Sequence, residues 1–276
     1  MNTLNTIKKA AFAALVTFIF SLSTVNAQND TMYIMKAGAI VGQYNVNTEV
    51  DSVIFYKPAI SNPTSGSFTD TRDGNTYKTV TIGNQVWMAE NLAYLPSVNM
   101  VADGSEDAAG SYYYVYGYDG TNVTDAKATA NYTTYGVLYN WTAAMNGSAS
   151  STSNPSTVQG VCPSGWHLPS DAEWTQLTDY LGGESVAGVK LKETGTTHWS
   201  SSNAEATNET GFTALPDGLR NNNGTFDYIG IAGYWWSATE NYADDAWRRS
   251  MLYLYNDVYR DSYSKELGFS VRCVRD

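Results

Sequence analysis

The clearest periodic pattern in the chain lies in residues 160–183, GVCPSGWHLPSDAEWTQLTDYLGG. Three apolar residues fall at i, i+3 and i+7 and would form one stripe of a helix: Trp174, Leu177 and Leu181. Ser170 and Glu173 have the spacing of a capping box, in which each side chain binds a backbone N–H group at the helix start. The glycine pair at 182–183 can end the helix in the left-handed conformation. The pattern predicts a short amphipathic helix over residues 171–181.

The segments around this helix predict strands, short helices and loops. TYKTVTI and QVWMAE flank Gly83-Asn84, a pair suited to a two-residue hairpin loop. A short helix that begins at the capping residue Asn140 is expected to end near Met145, and another is expected at 185–192. Further strands are predicted at 234–237, 249–255, 258–262 and 269–274, with a turn at Asn256-Asp257. Loops are predicted at 100–134, 148–157 and 200–210. The fold class is therefore α+β, with a small antiparallel sheet.

The first 68 residues are organised differently. Lys8 and Lys9 precede an apolar stretch, and Val25-Asn26-Ala27 fits the small-residue pattern of a signal cleavage site. We predict a signal peptide over 1–27, with an uncleaved anchor as the alternative, and hence a secreted or cell-surface protein without a membrane span in the mature chain. The strand-like segments TMYIM, AIVGQY and DSVIFY predict a short β element over 28–57. A polar linker follows at 58–68, and the main domain at 69–276.

Charge and aromatic content restrict the partners. The chain has 16 Lys and Arg against 27 Asp and Glu, a net charge of −11, so it lacks the basic stripe that nucleic-acid binding requires. It also contains 21 Tyr and 8 Trp, a large supply for a core or a contact surface.

The only two cysteines are Cys162 and Cys273. In an exported chain a pair of cysteines favours a disulfide, which here would join the segment before the helix to the last predicted strand. Two buried free thiols are the alternative.

Several segments carry a family resemblance. The segment CPSGWHLPSDAEW resembles part of the Fibrobacter succinogenes major paralogous domain. Further matching segments follow in order: DGNTYKTVTIGNQVWMAENL, YGVLYNWTAAM, KLKETGTTHW, GYWWSATE and GFSVRCVR. The helix segment alone is also similar to one in the formylglycine-generating sulfatase-modifying enzymes, which have a C-type-lectin-like fold. The resemblance implies a C-type-lectin-like domain with short helices, and it implies no established activity.

Catalysis and metal binding lack candidate residues. The formylglycine-generating family uses a pair of cysteines in its C-terminal part, and only Cys273 lies there, so this activity is expected to be absent. His167 and His198 are the only histidines and do not have zinc-ligand spacing. We expect His167 to be partly buried, with its hydrogen bonds satisfied. No cofactor is expected. Calcium stays an alternative, since the loops offer carboxylates but lack the lectin motifs Glu-Pro-Asn and Trp-Asn-Asp.

The C-terminal third combines Tyr and Trp with amides and carboxylates, which suits sugar rings or peptides. We predict a ligand surface formed by residues 217–228 and 240–259, with these contacts: Arg220, Asn221, Tyr242, Trp247 and Tyr255. Trp174 and one of Trp235 and Trp236 are expected in the core, since adjacent strand residues face opposite sides. The function predicted is a non-catalytic binding module for an extracellular glycan or surface protein, as in adhesion. The alternative is a structural or assembly subunit of a surface appendage.

Overall fold

The structure is a computed structural model that describes residues 31–36, 39–45, 65–203 and 205–276. The chain divides into two compact units, Met1–Pro58 and Ala59–Asp276. Across the described ranges, no helix is long and apolar enough to span a membrane.

The first unit contains an antiparallel hairpin of β1 (Thr31–Lys36) and β2 (Ala39–Asn45). A bulge after Ile34 shifts the register of this pair. Two of the three strands predicted for the N-terminal element are thus confirmed. The third, DSVIFY, and the predicted signal peptide lie outside the described residues.

The second unit is an α+β domain of short elements. Its strands are β3 (Ser65–Thr69), β4 (Thr76–Ile82), β5 (Gln85–Met88), β6 (Tyr113–Tyr114), β7 (Leu138–Tyr139), β8 (Trp166–His167), β9 (Asp217–Arg220), β10 (Phe226–Ile229), β11 (Ala232–Tyr242), β12 (Asp245–Leu252), β13 (Tyr259–Ser264) and β14 (Val274–Arg275). Its helices are α1 (Val123–Lys127), α2 (Ala130–Tyr135), α3 (Trp141–Met145), α4 (Asp171–Tyr180) and α5 (Glu184–Leu191).

One sheet joins the two ends of this domain. Its five strands have the order β3-β4-β5-β14-β8 and are antiparallel to their neighbours. The β4–β5 hairpin turns at Gly83-Asn84, as the sequence predicts. β3 includes residues 65–68, which the sequence analysis places in the linker. These residues are in the sheet because Phe68 stacks on Tyr77 and Trp166, at ring distances of 5.4 and 4.4 Å.

Helix α4 forms as its sequence predicts. The capping box is complete, because the Ser170 hydroxyl accepts from the Glu173 N–H and the Glu173 carboxylate accepts from the Ser170 N–H. The apolar stripe of Trp174, Leu177 and Leu181 is fully buried. Beyond the helix, Gly182 and Gly183 both have positive φ. Helices α3 and α5 also confirm their predictions, and Asn140 caps α3 through a bond from the Ala143 N–H.

Two hydrophobic cores lie on opposite sides of β11. Trp236 belongs to one core, with Phe269 and Tyr139, and Trp235 belongs to the other, with Trp174 and Phe212. Both indoles are fully buried. The two tryptophans face opposite ways, as predicted, but the expectation that only one of them is structural is wrong. The second face of the strand is covered as well, by helix α4.

The stretch 100–134 is not the continuous loop that was predicted. It contains β6, α1 and α2, and the two helices are capped by the side chains of Asn122 and Thr129. Each helix buries a single residue, Ala126 in α1 and Tyr132 in α2. One buried residue per helix gives no periodic apolar pattern, so the sequence carries little signal for these helices.

Cys162 and Cys273 form a disulfide, with their Cα atoms 5.9 Å apart. The prediction of this bond is confirmed. It links the segment before β8 to the residue before β14, so the helix segment and the chain end are joined covalently as well as through the sheet.

A second link between α4 and the chain end runs through His167, which is 3% exposed. Its Nε2 lies 2.7 Å from Glu173 Oε1 and its Nδ1 lies 2.8 Å from Asp276 Oδ1. Because both ring nitrogens face carboxylate oxygens, both must donate and the ring carries a proton on each. Burial opposes this charge, but the two carboxylates outweigh it and raise the pKa of His167. The expectation that its hydrogen bonds are satisfied is confirmed, and the ring is fully buried where partial burial was expected.

We expect loss of the disulfide to destabilise the fold through the unfolded state. The cysteines lie 111 positions apart, and closing a loop of that length contributes about 4–5 kcal/mol in the chain-entropy model. The Cys162→Ser/Cys273→Ser variant should therefore unfold at lower denaturant than the oxidised protein. Reductant should shift the midpoint of the wild type and leave that of the variant unchanged. Equal shifts in both would show that the bond does not constrain the chain.

We expect the stability difference between the wild type and His167→Gln to depend on pH. A raised folded-state pKa contributes stability below the ordinary value of about 6.5, and this contribution is lost as the pH rises through the folded value. The difference in free energy of unfolding should therefore be largest below about pH 6.5 and should shrink as the pH rises through the raised pKa of folded His167. Asp276→Asn removes one of the two carboxylates and should make the pH effect smaller. A difference that grows with pH would contradict the assignment.

Candidate functional site

The candidate site lies on the three-stranded sheet β11-β12-β13. Paired residues in neighbouring strands share a face, and successive residues alternate between faces. Trp236, Arg248 and Asp261 are paired across the sheet, and so are Trp235, Arg249 and Arg260. These two rows point to opposite sides. The sheet thus has one face beside Trp236 and one face beside Trp235.

On the Trp236 side, aromatic rings lead from the core to the surface. Trp236 contacts Phe269 at 4.4 Å, Phe269 stacks on Tyr234 at 5.3 Å, and Tyr234 meets Tyr228 edge-on at 6.3 Å. Tyr234 is 8% exposed, whereas Tyr228 is 51% exposed. Tyr228 reaches this position from β10 with a φ of 65°, in the left-handed region that a tyrosine rarely adopts. The backbone is strained where it presents this ring.

Arg248 lies among these rings. Its guanidinium carbon is 4.9 Å from the Tyr234 ring centre and 4.4 Å from that of Tyr263, a 46% exposed residue of β13. Arg248 itself is 5% exposed. We call the surface formed by Tyr228, Tyr234, Arg248, Asp261 and Tyr263 the tyrosine face.

The charge of Arg248 is poorly compensated. Its Nη2 lies 3.5 Å from Asp261 Oδ2, which is long for an ion pair, and the Asp261 side chain is largely in solvent. Within the part of the chain that the structure describes, Nε and Nη1 are buried and have no hydrogen-bond partner. Burial lowers the pKa of Arg248, and Asp261 opposes this only in part. Unpaired charged donors in a buried position are costly, so such a residue needs an explanation.

The opposite face of the sheet is closed by helix α4. Asp171, in the first turn of that helix, binds Arg249 Nη1 at 2.6 Å and Arg260 Nη2 at 2.8 Å. The Arg260 guanidinium carbon stands 3.8 Å from the centre of the Trp247 ring. Trp247, a predicted contact, is therefore half-buried under an arginine and lies on the side of the sheet away from the tyrosine face.

Arg220, another predicted contact, is fully buried. Its Nε donates to Val101 O at 2.9 Å, and its Nη2 donates to Asp103 O at 2.7 Å and to Ser105 Oγ at 2.8 Å. Burial lowers its pKa, and the nearby Tyr114, Glu266 and Asp103 act in the opposite direction. The side chain holds the loop at 101–105 in place and presents no free donor to a ligand.

The other predicted contacts lie apart from one another. Asn221 is half-buried in the β9–β10 turn, where its Nδ2 lies 3.4 Å from Asp227 Oδ2. Tyr242 is 69% exposed at the end of β11. Tyr255 is 47% exposed in the segment between β12 and β13, and its carbonyl accepts from the buried Lys192 Nζ at 2.8 Å. The structure does not bring the five residues together as one surface.

The sequence-based prediction does not include the tyrosine face because it assigns the wrong register to the C-terminal strands. The sequence predicts a strand that begins at Arg249, whereas β12 begins at Asp245 and pairs with Tyr242 across a two-residue turn. That turn alone would place Arg248 opposite Thr239, and two register shifts between Trp236 and Tyr242 place it opposite Trp236 instead. The face of Arg248 therefore depends on irregularities for which the sequence gives no signal. The predicted strand at 269–274 is also shorter, since only Val274–Arg275 is regular and Phe269 and Ser270 make isolated bridges.

Among the residues described, no group of three or more His, Cys, Asp or Glu side chains has the arrangement of a metal site. A shallow cleft of 370 Å³ lies beside the His167 ring, between Gln159, Trp166 and Asp276. Both nitrogens of that ring are already engaged with carboxylates.

The fold and site define a disulfide-linked α+β domain with an aromatic surface. The family model of the Fibrobacter succinogenes major domain matches residues 80–275, and the chain belongs to this family. Neither a curated protein nor a solved structure matches the chain.

We expect Met substitutions at two of the buried arginines, Arg248 and Arg220, to have different effects on the free energy of unfolding. Arg248→Met removes unpaired charged donors from an aromatic environment and should leave the unfolding free energy unchanged or raise it. Arg220→Met leaves several loop carbonyls without a donor and should cost about 3 kcal/mol. Denaturant unfolding of the two variants measures both effects. A large loss for Arg248→Met would make Arg248 a structural residue.

Proposed function

We propose that the protein is an exported, non-catalytic binding module that holds a glycan or protein ligand on the tyrosine face. The observation that carries this proposal is Arg248, which is buried between the rings of Tyr234 and the half-exposed Tyr263 and has two nitrogens without a hydrogen-bond partner among the described residues. Buried charges without a full set of partners are concentrated at functional sites, where they contact a ligand.

The aromatic rings supply the contact area. Tyr228 on β10 and Tyr263 on β13 each expose about half of their surface next to Tyr234 and Arg248, respectively. Flat, rigid rings of this kind offer a large contact at a small loss of conformational entropy. The disulfide and the five-stranded sheet hold the scaffold still, which keeps the ordering cost of binding low.

The C-type-lectin-like architecture and the secreted or surface location are part of this proposal. The pairing of β14 with β5 brings the end of the domain back to its beginning, which is the arrangement that the sequence resemblance implies. A disulfide is typical of exported proteins. The non-catalytic role is supported by the cysteines, since both are consumed in one disulfide and neither is free for formylglycine-type redox chemistry.

A glycan array followed by surface variants tests this function. We expect Tyr228→Ala and Tyr263→Ala each to weaken binding of the best ligand by about 2 kcal/mol, roughly thirtyfold, as hot-spot aromatics do. Because both side chains are half-exposed, the melting temperature should change little. Tyr242→Ala, Trp247→Ala and Tyr255→Ala form the comparison set, since they test the surface predicted from sequence.

Two results would count against the proposal. If the comparison set abolishes binding and the tyrosine-face variants do not, the ligand surface lies elsewhere on the domain. If no glycan or surface protein binds and the protein is recovered only as part of an assembled appendage, the role is structural.

A further inference from the structure

We infer that the tyrosine face recognises an acidic glycan, with the sugar carboxylate bound by Arg248. This inference rests on the proposed function and names its ligand class. It follows from three features of the face: the poorly compensated guanidinium, the exposure of one covering ring, and the carboxylate of Asp261.

Arg248 differs from the other buried arginines of the described residues, which are Arg220, Arg249 and Arg272. Arg249 is paired with Asp171, and Arg220 and Arg272 donate through several nitrogens to backbone carbonyls. Arg248 has a long ion pair with Asp261 at 3.5 Å and a polar contact with the Tyr263 side chain, and two of its nitrogens have no hydrogen-bond partner among the described residues. The missing partner is an acceptor, and an anionic acceptor matches the charge best.

The ring of Tyr263 controls access to this guanidinium. The other two flanking rings, Tyr234 and Phe269, are 8% and 0% exposed and are fixed by the core. Tyr263 is 46% exposed on β13, an edge strand of the three-stranded sheet. An exposed side chain changes rotamer within nanoseconds, so Tyr263 can swing out and admit a ligand group to Arg248.

The carboxylate of Asp261 limits which anionic ligands can bind next to Arg248. Its carboxylate is about half-exposed next to Arg248 and would repel a ligand that carries only carboxylates, such as an acidic peptide. A sugar acid also carries hydroxyl groups, which can donate to Asp261 while its carboxylate meets Arg248. The apolar face of the ring can then stack on Tyr228 or Tyr263. The face thus offers one complementary group for each part of an acidic sugar.

Uronic acids and sialic acids share this chemistry, so the test uses one probe of each kind with a neutral match. The probes are trigalacturonic acid with its methyl ester, and sialyllactose with lactose, titrated into the full mature protein by calorimetry. We expect at least one acidic probe to bind at least tenfold more tightly than its neutral match. We also expect Arg248→Met to remove this preference, and Arg248→Lys to restore only part of it because lysine lacks the planar donor group.

Arg275→Met is the matched control. Arg275 is exposed, stacks on Trp166 at 5.0 Å on the five-stranded sheet, and its loss changes the net charge equally. Its variant should keep the preference for the acidic probe. Tyr263→Phe, which keeps the ring, should also keep it.

The following outcomes overturn the inference. One is equal affinity for acidic and neutral probes, or no binding of either acidic probe. Another is an equal loss of preference in Arg248→Met and Arg275→Met. If neutral glycans bind and the Tyr228 and Tyr263 variants abolish this binding, the proposed function stands and only the ligand class is wrong.

Discussion

The structure depends on the hydrogen bonds of one buried amide, Asn91, which lies after β5. Its Nδ2 donates to Asp217 Oδ2 at 2.7 Å and to Ser270 Oγ at 3.1 Å, and its Oδ1 accepts from Trp235 Nε1 at 2.9 Å and from Arg272 Nε at 3.0 Å. Burial raises the pKa of Asp217 to about 7 and lowers the pKa of Arg272 to about 9. Asp217 also accepts from the Tyr234 N–H, and Arg272 also donates to the carbonyls of Phe212 and Thr213. The network fixes the segments that carry these residues relative to one another.

The elements that the sequence predicts well are those with local causes. Helix α4 has its cap, stripe and stop within a dozen residues, and the β4–β5 hairpin has its turn between two alternating segments. The helices at 123–135 have side-chain caps but bury only one residue each, so they lack the apolar pattern that would predict them. The pairing of Cys162 with Cys273 was predictable because the chain has no other cysteine.

The candidate site was harder to predict because arginine alone does not reveal its role. Arg220 follows a polar turn region and resembles a surface residue in sequence, yet the loop at 101–105 covers it. Arg248 and Arg249 are neighbours, and their different environments follow from which side of β12 each one faces. That orientation is set by strand register, and a shift of one residue would exchange the two side chains. When the turn that joins two strands is not recognised, the sequence does not determine which of their residues are paired.

The position of the tyrosine face follows from the two cores. Because Trp235 and Trp236 bury both sides of β11, this strand has little surface left for a ligand. Fewer side chains are buried toward β13, whose residues are half-buried or exposed. The rings of Tyr228 on β10 and Tyr263 on β13 lie partly in solvent there. Arg248 lies on the middle strand at this boundary, 5% exposed, next to the half-exposed Tyr263. A charge in such a position is less screened than one in water, and the aromatic rings beside it hold it in place.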